Sequence, residues 1–435
     1  MAPKAQAART DAKIAPKIAA KIAPGDNSTA AYDVAKIRAD FPILGQKVYG
    51  KPLVYLDNGA SAQKPRQVID AMSEAYQTYY SNVHRGVHWT SQRSTEAFEG
   101  GRAKVAAFLN AAGENEIVFT RGATEAINLV AATWGRKNLK AGDEVIVSHM
   151  EHHSNIVPWQ MLRQEKGIVL KVVPIDDDGN FLLDEYRKLL SPRTRLVAVT
   201  HVSNALGTVV PVTDVIRLAH DAGALVLLDG CQAVPHMKVD VAALGVDFYV
   251  FSGHKLYGPT GIGVLWGRED LLNAMPPYQG GGDMISSVTF DKTTFKKAPH
   301  RFEAGTPAIV EAIGLGRAVD YVTAVGLDNI SAHEHGILQY ATEKISAVDG
   351  LRIIGTAREK ASIISFDMKG VHAHDIGTIV DRAGVAIRVG HHCAQPVMER
   401  YGVAATARAS FGLYNTRGEV DALADALTQA RKFFG

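Results

Sequence analysis

The stretch FSGHKLYGPTGIG, Phe251–Gly263, directly follows an apolar run, VDFYVF. It carries Lys255 at the mouth of what reads as a buried strand, in a short turn with glycines to either side. A lysine there is costly unless its charge is compensated or burial frees its amine for chemistry. The run before it is one of a series. LVYLD, EIVFT, EVIVS, LKVVP, RLVAVT, ALVLLD, FYVFS and IGVLW are short, rich in Val, Ile and Leu, and mostly bounded by Gly, Asp or Ser. Helical stretches such as ATEAINLVAATWG and VTDVIRLAHDAG lie between several of them. Buried strands alternating with helices predict an α/β fold, with a mostly parallel central sheet flanked by helices.

After about Val310 the pattern changes. Two long helical stretches, AIVEAIGLGRAVDYVTAVG and ISAHEHGILQYATEKISAV, precede the strand candidates SIISFDM, VAIRVG and RASFGLY and a closing helix, GEVDALADALTQARKFFG. This reads as a smaller α+β domain. The opening 32 residues differ again. They hold a KIAP, KIAA, KIAP near-repeat broken by prolines, and read as a disordered low-complexity tail. The tail is basic and acid-poor, as a transit peptide would be, but serine is scarce, arginine appears once and the prolines spoil an amphipathic helix.

The chain has 435 residues, 46% hydrophobic and 21% charged, with 47 Lys and Arg against 45 Asp and Glu. The basic excess sits in the tail, so the body carries no basic footprint for nucleic acid. No apolar run is long enough to span a membrane. Two cysteines far apart, Cys231 and Cys393, form no disulfide framework and suit a reducing, cytoplasmic compartment. An organellar location is the alternative if the tail is a transit peptide.

Ligands of open α/β sheets bind beyond the carboxyl ends of the strands. Five strand ends carry polar groups there. Arg121-Gly122-Ala123-Thr124 follows EIVFT and opens a helix. His149 to Asn155 follows EVIVS, and His201-Val202-Ser203-Asn204 follows RLVAVT. ALVLLD ends in Asp229, before Gly230-Cys231-Gln232. Gly253-His254-Lys255 follows FYVFS. A helix start with Thr124 suits a phosphate. A buried Asp229 needs a positive partner, which a protonated pyridine nitrogen would supply. Lys255 could act as a Schiff-base nucleophile. Singly, each has an ordinary reading as a helix cap, a satisfied aspartate or an ion-paired lysine. Together they are what pyridoxal phosphate requires. The histidine clusters lack the H-E-x-x-H zinc spacing, and no metal is expected.

The sequence resembles the SUF-type (group II) cysteine desulfurases of the class V aminotransferase superfamily, which are fold-type I pyridoxal-phosphate enzymes. YLDNGASAQKP, VHRGVH, RGATEAINLVA, MEHHSNIVPWQ, THVSNALGTVVP, LDGCQAVPH, DFYVFSGHKLYGPTGIG, PPYQGGGDMI, RFEAGTP and RVGHHCAQP carry the resemblance, over nearly everything but the tail. It implies that Lys255 forms the imine with the cofactor and Asp229 partners the pyridine nitrogen. Gln232 would bind the phenolic oxygen, and His152 would stack on the ring and help move protons. Ala123, Thr124, Ser252 and His254 would hold the phosphate, with Thr306 reaching the phosphate of a second subunit in a homodimer. Asn204 and Arg408 would bind the substrate carboxylate, with Arg388 near Cys393 and Arg85 entering from its loop. Cys393 matches the persulfide-forming cysteine, its thiol acidified by Arg388, His391 and His392. Cys231, where alanine is common, is expected to pack rather than react.

Pattern and resemblance together divide the chain into the tail (1–32), an N-terminal segment packing near the small domain (33–55), a large cofactor-binding domain (56–312) and a small domain carrying Cys393 (313–435). The implied reaction takes L-cysteine to L-alanine and leaves a persulfide on Cys393. Its sulfur would pass to an acceptor protein of the SufE or SufU kind and on to iron–sulfur scaffold machinery. The nearest alternative is a selenocysteine lyase. Another lyase or aminotransferase of the same fold would not need Cys393. A non-enzymatic cofactor-binding regulator would carry an added DNA-binding domain, and no such segment is visible.

Overall fold

Seven of the apolar runs become strands of one sheet, and most of them are buried along their whole length. In chain order they are β1 (Ile117–Thr120), β2 (Glu144–Ser148), β3 (Val169–Val173), β4 (Thr194–Thr200), β5 (Leu225–Asp229), β6 (Phe248–Ser252) and β7 (Gly263–Gly267). Their spatial order is β1-β7-β6-β5-β4-β2-β3. All neighbouring pairs are parallel except those of β7, which is antiparallel to both β1 and β6. Helices cover the sheet because its strands are apolar on both faces. The core joins Val118, Val145, Leu196, Leu227, Val250 and Leu265 from the strands to Ile127, Trp134 and Trp159 from the helical layer.

The structure is a computed structural model that describes residues 32–434. The tail expected over 1–32 therefore lies outside the described residues but for Tyr32. From Asp33 onward the chain forms one packed unit. A second sheet holds β8 (Leu351–Ile354), β9 (Ile363–Met368), β10 (Arg388–Gly390) and β11 (Thr406–Ser410), in the order β8-β9-β11-β10 and antiparallel throughout. Its own apolar core includes Phe366, Ile376, Ala407, Leu423 and Leu427. The long helices Ile309–Val325, Leu327–Ser346 and Arg417–Phe434 match the helical stretches read from the sequence.

Two readings need correction. LVYLD does not join the central sheet: only Val54–Tyr55 is strand, and it pairs in parallel with Val385–Ala386. VAIRVG is split between that pairing and β10. Residues after Asp33 pack in the same direction. Arg38 Nη1 donates to Tyr414 O at 2.7 Å and lies 2.9 Å from Glu419, and buried Phe41 meets Tyr257, Tyr321 and Tyr414 edge-on. Among the described residues no helix is long and apolar enough to cross a membrane.

Candidate active site

The carboxyl ends of β1, β2, β4, β5 and β6 open into one cavity of about 580 Å³, closed on the other side by the β10–β11 end of the second sheet. Strand register explains which groups meet. The antiparallel β7 begins at Gly263, opposite both Thr120 and Ser252, the last residues of β1 and β6. A Cβ on Gly263 would lie 2.4 Å from Gly122 Cα, so only glycine lets the turn after β1 close in. Ala123 N–H then donates to Ser252 Oγ at 2.9 Å. Ser252 thus takes the first N–H of this helix start. Ala123, Thr124, Ser252 and His254 all line this end of the cavity. Burial, with Lys255 and Lys64 nearby, pushes His254 down to about 4, so the ring is neutral.

Asp229 ends β5 level with Thr200 of β4. Its carboxylate is 5% exposed and accepts from Cys231 N–H at 3.0 Å. Among the described residues it forms no ion pair. The tight turn after it requires glycine, since a Cβ on Gly230 would sit 2.1 Å from the Tyr249 ring. Lys255 lines the same cavity and, among the described residues, has no ion-pair or hydrogen-bond partner. A buried carboxylate without a cation and an amine without an anion are mutually explained by a group that brings both a cationic nitrogen and an electrophilic carbon. The residues present therefore fit pyridoxal phosphate, with Thr124 and His254 at the phosphate end.

His152 lies on the lining with Nδ1 accepting from Ser154 N–H at 3.1 Å and 2.8 Å from Ser154 Oγ. Burial first, and Lys255 second, push its pKa down to about 4. The ring is neutral with its proton on Nε2. Gln232, 2% exposed, donates from Nε2 to Gly59 O at 2.7 Å. Cys231 is buried with its thiol pushed up to about 12 by burial first and Asp229 second, a packing residue as expected.

Cys393 sits on the loop after β10 and is exposed at the cavity mouth. His392 and Cys393 both have left-handed backbones, with φ of 53° and 54°. Non-glycine residues adopt this conformation only when their surroundings hold them there. The restraints are specific. Asn204 Nδ2 donates to His392 O at 2.6 Å, His153 N–H donates to Cys393 O at 2.7 Å, and Gln395 N–H donates to His153 Nε2 at 3.0 Å. The expectation that His392 acidifies the thiol is not met. Its ring is buried, 2.8 Å from Thr406 Oγ1, and burial with Arg408 and Arg388 pushes it down to about 2, so it carries no charge.

Arg408 is buried, donates to Asn204 O at 2.8 Å, and keeps Nε without a protein partner. Arg388 shares the lining. Both guanidinium groups reach Asp57, which the sequence reading quoted in YLDNGAS but gave no role. Arg85 does not line this cavity; it is largely exposed and lies 2.8 Å from Asp283. Thr306 is exposed and likewise outside it. Glu151, beside His152, is fully buried, and burial pushes it up to about 7. It accepts from Ser148 Oγ, Asn155 Nδ2 and Thr200 N–H. No group of three or more His, Cys, Asp or Glu able to hold a metal occurs among the described residues.

Residues 54–423 match the family Aminotransferase class-V. The chain is 54% identical over 396 residues to a cysteine desulfurase of Synechococcus elongatus, covering 91% of this chain and 63% of that protein. It spans 57–64% of the length of the first curated relatives it matches. A cysteine desulfurase of Salmonella agona is 53% identical over 405 residues, covering 93% of this chain and all of that protein. Among solved structures, the cysteine desulfurase CsdA of Escherichia coli in an S-sulfonic acid form superposes with a TM-score of 0.87 at 40% identity, over 93% of this chain and all of that one.

Proposed function

The chain belongs to the class-V aminotransferase family, and from that membership we propose that it is a cysteine desulfurase, converting L-cysteine to L-alanine and taking the sulfur onto Cys393. The observation that carries the reading is the shared cavity. Unpaired Lys255 and Asp229 lie at adjacent strand ends, and Cys393 is held at the mouth of the same space by the hydrogen bond of His153 N–H to its carbonyl and that of Asn204 to the carbonyl of His392.

The cofactor is pyridoxal 5'-phosphate, and when bound it supplies an electron sink for the bonds broken at the substrate's α- and β-carbons. The chain's own residues do the rest. Lys255 would hold the cofactor and move the α-proton on Nζ. Asp229, buried and negative, would partner the pyridine nitrogen. Thr124, Ser252 and His254 would hold the phosphate, and Gln232 the phenolic oxygen. His152, neutral and bearing its proton on Nε2, can stack on the ring and pass a proton without adding charge. Arg408, through its unpartnered Nε, and Asn204 would fix the substrate carboxylate. Cys393 Sγ, as the thiolate, bonds to the substrate sulfur. The carbon–sulfur bond breaks, its electron pair stays with the β-carbon, and that carbon takes a proton to give alanine. The persulfide keeps the sulfur.

On this reading residues 56–312 form the large cofactor-binding domain, 313–435 the small domain and 33–55 a segment packed beside it. Thr306 serves the phosphate of a second copy in a homodimer, and Arg85 enters the site once its loop is placed by that copy. The persulfide is passed in the cytoplasm to an acceptor protein of the SufE or SufU kind that feeds iron–sulfur assembly. Intact-mass measurement after brief exposure to L-cysteine tests the reading: Cys393 should gain one sulfur atom, reversibly with dithiothreitol. A sulfur adduct elsewhere, or none while alanine accumulates, refutes it.

A further inference from the structure

Lys64 is a second amine beside the site without an anion. It stands on the loop after the Val54–Tyr55 strand, one residue before Pro65 caps the helix Arg66–Thr78. The start of a helix disfavours a cation. The side chain is half-buried and turns toward the cofactor lysine's turn, where Nζ donates to His254 O at 3.1 Å and to Ala62 O. Neither acceptor is charged, and among the described residues no carboxylate pairs with this ammonium. Burial pushes its pKa down to about 8, so at pH 7 it is still mostly charged. As a tie it is replaceable, because Ala62 N–H at 3.1 Å and Ser61 Oγ at 3.4 Å donate to the same His254 carbonyl. Its charge has no such substitute. That charge is felt in the cavity: after burial and Lys255, Lys64 is what keeps His254 from taking a proton. Ala123, Thr124, Ser252 and His254, the lining at this end, carry no charge. The other lining groups able to carry positive charge have other places. Lys255 would be bonded to the cofactor, Arg388 and Arg408 reach Asp57, His152 and His392 are neutral, and His153 and His391 lie beside Cys393. Asp229, the carboxylate on this lining, would partner the ring nitrogen. A phosphate dianion at Thr124 and His254 thus meets hydroxyls, N–H groups and a neutral ring, with Lys64 behind them as an uncompensated cation.

We propose that Lys64 is a further determinant of cofactor binding: from behind His254, outside the cavity lining, its ammonium supplies the positive charge that balances the cofactor's phosphate. It acts by charge rather than by contact. This rests on the reading of the phosphate end given above and deepens it. The coupling is reciprocal: the charge that favours the phosphate is itself held on Lys64 by the phosphate.

The test uses the full chain freed of cofactor and titrated, by absorbance, with pyridoxal 5'-phosphate and with pyridoxal, which has the same ring and aldehyde but no phosphate. Lys64→Gln keeps a donor for the two carbonyls and removes the charge. Its affinity for pyridoxal 5'-phosphate should fall at least about fourfold at low salt, the effect of one charge on a dianion over about 10 Å even at the dielectric constant of water, about 80. Its affinity for pyridoxal should stay within about twofold of wild type. Lys64→Arg keeps the charge and should bind both ligands as wild type does; if it follows Lys64→Gln instead, the proposal falls. Equal weakening of the two ligands in Lys64→Gln would mean that Lys64 only supports the turn before Lys255, and overturns the proposal, as does unchanged affinity for both. Should Lys64→Gln not fold, the rate of Lys64 acetylation in the wild type at pH 7, read by mass spectrometry, decides. Only the uncharged amine reacts, so saturating pyridoxal 5'-phosphate should slow it at least about threefold more than saturating pyridoxal does, and equal rates overturn the proposal. Alanine formation from L-cysteine is scored in the wild-type protein. Its absence refutes the desulfurase reading, while the two affinities still decide the role of Lys64.

Discussion

Four histidines around the site are neutral, His201 and His392 buried and His152 and His254 half-buried, and that makes the fold sensitive to acid. Burial pushes His152, His201 and His254 down to about 4 and His392 to about 2. A histidine in the unfolded chain titrates near 6.5. These folded-state values are depressed, so the stability they confer is fully present above about pH 6.5 and is lost as pH falls toward 4. At pH 5 the unfolded chain holds about four protons the folded chain does not, each worth about 2 kcal/mol relative to pH 7. Glu151 acts in the opposite direction. Its value is raised to about 7, so its contribution is full below its unfolded value near 4.5 and is lost as pH rises through 7. It returns about 2 kcal/mol on going from pH 7 to pH 5. The net loss is about 5 kcal/mol, a large share of a typical folding free energy. For a body of this size that corresponds to a melting temperature about 6 °C lower. Calorimetric scans at pH 7 and pH 5 measure it. His201→Asn removes one titrating group, whose ring lies 3.0 Å from Tyr249 Oη, and should flatten the net pH dependence by about two-fifths. A melting temperature independent of pH between 7 and 5, or an unchanged slope in His201→Asn, would refute this account.

Three further outcomes are expected. Asn204→Ala leaves the buried His392 carbonyl without its donor, which costs about 1–3 kcal/mol. The left-handed residues should then relax, with amide exchange at 391–395 at least about fivefold faster and persulfide formation slower; unchanged exchange contradicts the restraint. Cys231→Ala should keep wild-type alanine formation, because that thiol is buried and held uncharged, and a large loss would contradict its packing role. Gly230→Ala forces a methyl into the Tyr249 ring and should destabilise the protein by at least about 2 kcal/mol in urea unfolding; a neutral result would contradict the turn geometry.

Much of this site was legible because its chemistry hangs on strand ends. The apolar runs EIVFT, EVIVS, RLVAVT, ALVLLD and FYVFS announce themselves by composition, and each is followed by the polar group that lines the cavity. Lys255 and Asp229 needed only that rule. What lay beyond it depended on register and on distant chain. Nothing local in YLDNGAS says that Asp57 will bridge Arg388 and Arg408, residues more than three hundred positions away. The neutral state of His392 follows from its turning into the core toward Thr406, which a run of two histidines beside a cysteine does not reveal. LVYLD has the composition of a central strand, yet its partner is Val385–Ala386, because pairing is decided by the tertiary fold rather than by the strand itself.

The central claim is that Cys393 takes sulfur from L-cysteine in a cavity where Lys255 and Asp229 await one cofactor. The most direct measurement is alanine released from L-cysteine by the purified, pyridoxal-phosphate-loaded protein with a reductant present, beside Cys393→Ala with the same cofactor absorbance. The account predicts alanine from the wild type and none above background from the variant. Equal alanine from both, or none from the wild type with the cofactor fully bound, would contradict it.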